Sequence, residues 1–213
     1  MRGMAQSPAV LSNPTFAAFL HSEPLAVDLV NTRLFLEDSW VDLFDDRPRR
    51  EQWLIAETGR LGFRTEDAAG FTDAAVDDLR PVRTHAAAAI DAARHGTAPP
   101  ARALSGLNRA LRVAPAVPQL HWDGHAVVAE TTRRGGMLGP RLAAGFAHAA
   151  LELLTGSGIR QVRQCDAPWC VMLFQARSPR RRWCTPTICG NRARVARYHR
   201  RHSSEERAAP PGS

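Results

Sequence analysis

Four cysteines near the carboxyl end constrain the fold of this chain more than any other feature. They form two pairs, Cys165 with Cys170 and Cys184 with Cys189, with four residues inside each pair and 13 between the pairs. Two close pairs on a short span allow four thiolates to meet at one tetrahedral Zn²⁺. Two disulfides or four ordinary core cysteines are the alternatives, but the sequence has no other cysteine, which favours the metal. The spacing therefore predicts a small zinc module.

The predicted metal is structural, because four thiolates leave no open position for catalysis. It replaces the core that a module of about 40 residues cannot build alone. Gly190 follows the last cysteine, and we expect a turn there that brings the backbone close to the bound sulfur. Trp169 and Trp183 each precede a cysteine. We expect both in the small core of the module, with stacking on nucleic-acid bases as the alternative.

Positive charge is concentrated in the same region. Residues 160–213 contain 12 Arg and 3 acidic residues, whereas the rest of the chain has 16 Arg and 18 acidic residues. A basic segment beside a near-neutral body is typical of polyanion binding, whether to nucleic acid or to a membrane surface. A zinc-anchored arginine run beside a tryptophan favours nucleic acid. The predicted contacts are Arg180, Arg181, Arg182, Asn191, Arg192, Arg194, Arg197, Arg200 and Arg201.

A basic helix is predicted from Asn191 to His202, with Asn191 as its cap. Successive residues lie 100° apart on a helix. The outer side then carries Arg194, Arg197 and Arg201. The inner side carries Ile188, Val195, His199 and His202. Arg192 lies nearer the inner side, so a structural role stays open for it. We do not expect the histidines to bind zinc, because four thiolates already satisfy the ion.

The rest of the chain predicts a helical body. Leu25 to Leu36 is apolar on almost every side, as in a buried helix. Further helices are predicted at 51–61, 72–95, 101–113 and 138–154 from apolar periodicity and terminal signals. Asp123-Gly124 between two short runs predicts a β-hairpin within 119–131. The predicted class is α+β, a predominantly α-helical domain with one β-hairpin, followed by a four-cysteine zinc-finger module with short strands near Val162 and Leu173 and a basic helix.

The glycines at 156 and 158 mark the clearest linker. We therefore predict a flexible N-terminus at 1–15, a mainly helical domain at 16–157, the zinc module at 158–203 and a disordered tail at 204–213. The first residues lack the apolar run of about 7 to 15 that a signal peptide needs, and no stretch approaches the ~20 apolar residues of a membrane span. A cytoplasmic protein without a membrane partner is predicted.

Three polar residues interrupt the apolar segment that begins at Leu25. Asp28, Asn31 and Thr32 are spaced so that they share one side of a helix, and Arg33 follows them. Buried polar groups need hydrogen-bond partners. The cluster therefore either ties neighbouring loops together, which is the favoured interpretation, or lines a ligand pocket.

Two segments resemble known families. RRWCTPTICGNRARVARYHRRH, preceded by CDAPWC, closely resembles the CGNR zinc finger, whose name is spelled by residues 189–192. LAVDLVNTR, residues 25–33, resembles the opening motif of the ABATE domain, which commonly precedes this finger in bacteria. The resemblance implies a bacterial stress-induced transcription regulator in which the finger binds nucleic acid and the larger domain is a sensor.

The predicted function is a non-enzymatic transcription regulator that binds nucleic acid, DNA in preference to RNA, through one zinc finger. A zinc-stabilised protein-interaction module is the alternative. A nuclease is a third hypothesis, but the sequence has no H-E-x-x-H, G-x-S-x-G or P-loop motif. A small-molecule effector and a homodimer are compatible with the regulator, and the sequence identifies neither the effector nor the recognised site.

Overall fold

The structure is a computed structural model that describes residues 14–36, 39–63, 71–133, 136–196 and 198. The helices are α1 Pro14–Phe19, α2 Leu25–Asn31, α3 Arg47–Arg60, α4 Asp73–Arg94, α5 Ala101–Val113 and α6 Leu138–Thr155. The strands are β1 Arg33–Leu36, β2 Ser39–Asp42, β3 Ala116–Trp122, β4 Val127–Arg133, β5 Val162–Gln164 and β6 Leu173–Gln175. Residues 191–196 and 198 are helical and form the described part of the C-terminal helix. The predicted helix-dominated α+β class is confirmed.

The helix predictions from residue 51 to 154 match the structure closely. The Thr72 side chain accepts a hydrogen bond from the N–H of Ala75, which caps α4 at the predicted residue. Pro81 lies inside α4, and the helix continues past it. Helices α4, α5 and α6 pack on one another. Gly139 permits a close approach of α6 to α4, because a Cβ there would lie 2.7 Å from the Cα of Ala75.

The core of the body is organised around Trp53 on α3. Its ring stacks on Phe146 of α6, with centroids 5.5 Å apart, and lies tilted against Phe44. The Trp53 indole N–H donates to the carbonyl oxygen of Leu20 at 3.1 Å, so the buried ring leaves no polar group unsatisfied. Aromatic burial of this size is the largest apolar contribution that single side chains make to a core.

One predicted element is wrong in part, because α2 ends at Asn31 and the residues up to Leu36 form β1. Strand β1 pairs antiparallel with β2, with Leu34 opposite Val41. The body therefore contains a second hairpin beside the predicted one. The apolar run hid this change, since a segment that is apolar on every side does not distinguish a buried helix from a strand. The local sign of a strand in the sequence was charged Arg33 followed by apolar Leu34. The structure places the first at the surface and the second in the core.

The predicted hairpin at 119–131 is confirmed as β3 and β4. Its connection is Asp123–Ala126, in which the Asp123 carboxylate accepts hydrogen bonds from the N–H groups of His125 and Ala126. Leu120, Trp122 and Val127 are exposed, at 77%, 63% and 65%. Trp122 and Val127 are directly opposite in register. One face of this hairpin is consequently apolar and open to solvent.

The segment after α6 leads into the second part of the molecule without leaving the core. Residues Ser157–Gln161 form a 3-10 turn, and β5 follows directly and pairs with β6. Buried apolar residues on both sides of this turn belong to one continuous cluster. The domain boundary predicted at 157 and 158 stays a prediction. The predicted tail and nearly all of the predicted flexible N-terminus lie outside the described residues.

Candidate metal centre and nucleic-acid interface

The four cysteine sulfurs meet at one point in the carboxyl-terminal part of the chain. Their Sγ atoms all lie within 4.8 Å of one another. Cys170 Sγ is 3.8 Å from the sulfurs of Cys184 and Cys189, and the last two are 3.4 Å apart. A tetrahedral ion with Zn–S bonds of ~2.3 Å requires sulfurs about 3.8 Å apart. The four side chains therefore fit one zinc ion.

Backbone hydrogen bonds hold the ligand loops in place. The N–H of Cys184 donates to Cys165 Sγ at 3.3 Å, and the N–H of Asp166 donates to the carbonyl oxygen of Arg182. The thiol of Cys170, the other two thiols and that N–H lower the pKa of Cys165, because they stabilise its thiolate by hydrogen bonding. Bound zinc deprotonates thiols outright. The arrangement is that of a closed four-cysteine site, which holds one structural zinc.

Gly190 lies at a close contact, but the contact differs from the one predicted. A Cβ on Gly190 would lie 3.2 Å from Cδ1 of Trp183, and the nearest atoms are all in that ring. Trp183 is partly buried and packs against the core, as expected. The glycine therefore makes room for the tryptophan beside the first ligand of the second pair and not for a sulfur.

Trp169 differs from the prediction, because it lies outside the core with 75% of its surface exposed. It occupies the third position of a turn closed by the N–H of Cys170 and the carbonyl oxygen of Ala167, with Pro168 at the second position. Its φ of 65° is positive. Glycine or asparagine usually fills such a position, and a residue with a Cβ loses roughly 1 to 2 kcal/mol there.

Most of the finger's arginines point into solvent. Among the described residues from 160 onward, the exposed ones are Arg160, Arg163, Arg177, Arg180, Arg182, Arg192 and Arg194. Sequence reasoning missed the first three of these as candidate contacts, although they belong to the same basic count. Arg182 donates to Asp166, the one acidic residue among the described residues from 160 onward, and its guanidinium lies 5.3 Å from the ring centroid of Trp183.

Arg181 has a different role from the one predicted. Its guanidinium donates to Glu23 Oε1 at 2.6 Å and to the carbonyl oxygens of Gln175 and Cys184. It also lies over the ring of Phe174 at 4.5 Å. Glu23 is 5% exposed. These contacts join the finger to the body, so we remove Arg181 from the candidate phosphate contacts.

The inner side predicted for the C-terminal helix is confirmed at Ile188, which packs against the core, but is wrong at Val195. Ala193 is buried and Val195 is 55% exposed. Ala193 follows Cys189 by four residues, so the ligand itself sets the side that faces the metal. Asn191, Arg192 and Arg194 are exposed, and the exposure of Arg192 argues against a structural role for it. The remaining candidates of this helix lie outside the described residues: Arg197, His199, Arg200, Arg201 and His202.

Asn31 and Thr32 of the polar cluster find their hydrogen-bond partners within the protein. Asn31 donates to the carbonyl oxygen of Leu173 and accepts from its N–H, both at 2.9 Å. Thr32 Oγ donates to the carbonyl oxygen of Leu29 and accepts from Arg83. Arg33 lies at the surface, 4.7 Å above the Trp40 ring. This geometry supports the tethering interpretation of the cluster.

Asp28 is fully buried, and burial raises its pKa to about 8, against an opposing hydrogen bond from Arg60. The nearby carboxylate of Glu57, also fully buried, raises this pKa further. The folded protein therefore keeps a proton on Asp28 over a range where the unfolded chain has lost it. The contribution of Asp28 to stability falls as pH rises from about 4 to about 8, because deprotonation of this group favours the unfolded state throughout that range.

We expect Asp28→Asn to flatten this dependence. One proton corresponds to at most about 1.4 kcal/mol of unfolding free energy per pH unit. Urea unfolding at several pH values from about 6 to about 8 should show wild type losing stability faster than the variant. Asp77→Asn removes an exposed carboxylate and serves as the control. Equal slopes for wild type and Asp28→Asn would refute the assignment.

Comparison with known families agrees with this geometry. Residues 23–157, well over half of the chain, match the ABATE family, described as "Putative stress-induced transcription regulator". The chain belongs to the ABATE family. Residues 161–202 match the CGNR zinc finger, so all four cysteines of the ABATE protein fall within its finger. No match was found among curated proteins.

The ABATE part of the chain also contains a cleft. It has a volume of about 490 Å³ and lies between the end of α3, strand β4 and α6. Its charged lining includes Arg60, Glu130 and Arg141. Small-molecule pockets commonly have volumes in this range.

None of the helices in the described ranges has the length and apolar character needed to cross a bilayer.

Proposed function

We propose that this ABATE protein is a non-enzymatic, cytoplasmic transcription regulator whose zinc finger binds DNA. The observation that carries the proposal is the charge of the finger surface, with seven exposed arginines and one acidic residue among its described residues. Arginine side chains neutralise phosphates and release counterions, which supplies most of the affinity for nucleic acid. The closed zinc site gives this surface a rigid support and offers no position for catalysis.

The proposed phosphate contacts lie close to the metal. Arg180 and Arg182 precede Cys184, while Arg192 and Arg194 follow Cys189, and the sulfurs of these two ligands are 3.4 Å apart. Asn191 is exposed and directly follows the helical turn Pro186–Gly190, which contains Cys189. The remaining contacts in the proposal are Arg160, Arg163, Arg177, Arg197, Arg200 and Arg201.

We expect the double variant Arg192→Gln, Arg194→Gln to weaken binding to random-sequence duplex DNA and to reduce its salt dependence. Each lost phosphate contact lowers the slope of log K against log salt by about 0.9, so the pair should lower it by about 1.8. Fluorescence anisotropy with the zinc-loaded protein across a salt series measures both quantities.

A matched control removes the same charge from the body. Arg109 and Arg112 are exposed on α5, and changing both to Gln should leave the slope close to that of wild type. If both double variants bind alike, net charge and not a local surface is responsible. If the wild-type protein binds no nucleic acid, the proposal is wrong and the protein-interaction alternative replaces it.

Two further parts of the proposal concern the body. The cleft supports a sensor role for residues 16–157. The finger at 158–203 is then the part that binds DNA. The exposed apolar face of the β3–β4 hairpin supports a homodimer, because contiguous exposed apolar surface marks interaction sites. Sedimentation of wild type and Trp122→Arg tests the dimer: the wild-type protein should sediment as a dimer and the variant as a monomer.

A further inference from the structure

Trp169 combines features that the finger's fold does not explain. It is the one residue other than glycine with a positive φ among the described residues. Its ring is 75% exposed and makes none of the aromatic or cation–π contacts found in that part of the chain. Glycine at this position would remove both the backbone strain and the exposed apolar surface. Strained, exposed aromatic residues of this kind occur at binding sites.

Trp169 lies next to a zinc ligand in the sequence, as several of the basic residues lie near the other ligands. It directly precedes Cys170, whose Sγ lies 3.8 Å from the sulfurs of Cys184 and Cys189. Arg182 and Arg192 lie two and three residues from those ligands. One metal site therefore ties together the segments that carry the exposed ring and the exposed guanidinium groups. A flat aromatic ring flanked by cations matches a nucleotide, which has a base with a π-face and a phosphate.

We propose that Trp169 stacks on an unpaired base, so that the preferred ligand of the finger is single-stranded nucleic acid or an opened segment of duplex. Bases inside a closed duplex already stack on their neighbours and leave no π-face for a side chain. The single strand is either DNA or RNA, which present the same chemistry to the ring. This inference rests on the proposed nucleic-acid binding and names the form of polymer that the site takes.

The experiment uses the full-length zinc-loaded protein and labelled single-stranded DNA, RNA and duplex DNA of equal length and random sequence. Wild type should bind at least one of the single strands more tightly than the duplex. Trp169→Ala should weaken that binding about 5- to 150-fold, the equivalent of 1 to 3 kcal/mol per stacked base. The salt slope should stay unchanged, because an indole carries no charge. Trp169→Phe, which keeps a ring, should restore part of the affinity.

Two controls separate this role from a structural one. Trp40→Ala removes an indole that is 56% exposed from the body, away from the proposed dimer face, and should leave single-strand binding unchanged. Trp169→Gly should keep the zinc and raise thermal stability, yet bind single strands as weakly as Trp169→Ala. Protein fluorescence should be quenched by the single strand in wild type and less so in Trp169→Phe.

The outcomes distinguish the two proposals. If wild type binds nucleic acid but Trp169→Ala binds single strands equally well, the stacking inference is overturned while the phosphate contacts stand. If duplex is preferred over both single strands, the inference is also overturned. If wild type binds no polymer, both proposals fail, and Trp169 becomes a candidate anchor for a protein partner.

Discussion

Cys184→Ser is expected to release the zinc and unfold the finger. Cys184 is 2% exposed, and its sulfur lies within 3.8 Å of those of Cys170 and Cys189. A serine hydroxyl is a poor replacement, because zinc in such sites is bound by thiolate. Structural zinc in finger peptides contributes roughly 10 to 16 kcal/mol of apparent binding free energy at pH 7. We expect zinc content to fall from one ion per chain to nearly none.

The effect should extend beyond the ligands. Strand β6 packs against α2 of the body, and Phe174 on this strand is fully buried. Hydrogen exchange should therefore show protection lost across β5 and β6 and reduced in α2. Thr187→Ala, an exposed change in the helical turn that contains Cys189, is the control and should keep both zinc and protection. Full zinc content and unchanged protection in Cys184→Ser would show that the four cysteines are not the metal site.

Local signals in the sequence predicted the parts of the fold that depend on neighbouring residues. Thr72 marked the start of α4, apolar periodicity marked α5, and Asp123 marked the β3–β4 hairpin, since caps, amphipathic faces and tight turns are encoded within a few residues. The four cysteines predicted the metal site for the same reason, because the two members of each pair are separated by only four residues and enclose one short loop. The apolar segment from Leu25 to Leu36 has no stop signal at Asn31, where α2 ends. The predicted helix was therefore too long.

Contacts between distant segments could not be predicted in the same way. Arg181 looked like one member of a basic run, but its partner Glu23 is 158 residues away. The apolar pattern of the C-terminal helix predicted that Val195 is buried. In the structure Ala193, four residues after Cys189, is buried and Val195 is exposed. Trp169 was expected in the core because large aromatic residues usually stabilise small modules. It lies instead in the turn that Pro168 begins, with a positive φ and an exposed ring, and a turn of this kind gives no sequence signal for an aromatic residue.

The joint between body and finger gives the second large prediction. We propose that Asn31 tethers the two parts, because its amide makes both a donor and an acceptor contact with the backbone of Leu173. Asn31→Ala would leave the buried N–H and C=O of β6 without partners, at roughly 1 to 3 kcal/mol each. We therefore expect urea unfolding to show a loss of about 2 to 5 kcal/mol. Asn108→Ala on the exposed side of α5 is the matched control.

The zinc content of Asn31→Ala should stay at one ion per chain, because no ligand is touched. Glu23 accepts from the N–H of Gln175 and from Arg181, so it forms a second tether between the same segments. A double-mutant cycle of Asn31→Ala with Glu23→Gln should show that the two losses are not additive, since both side chains hold β6 in one position. A change of less than about 0.5 kcal/mol in Asn31→Ala would contradict the tether. Reduced affinity of the body for an added small molecule would instead support a ligand-binding role.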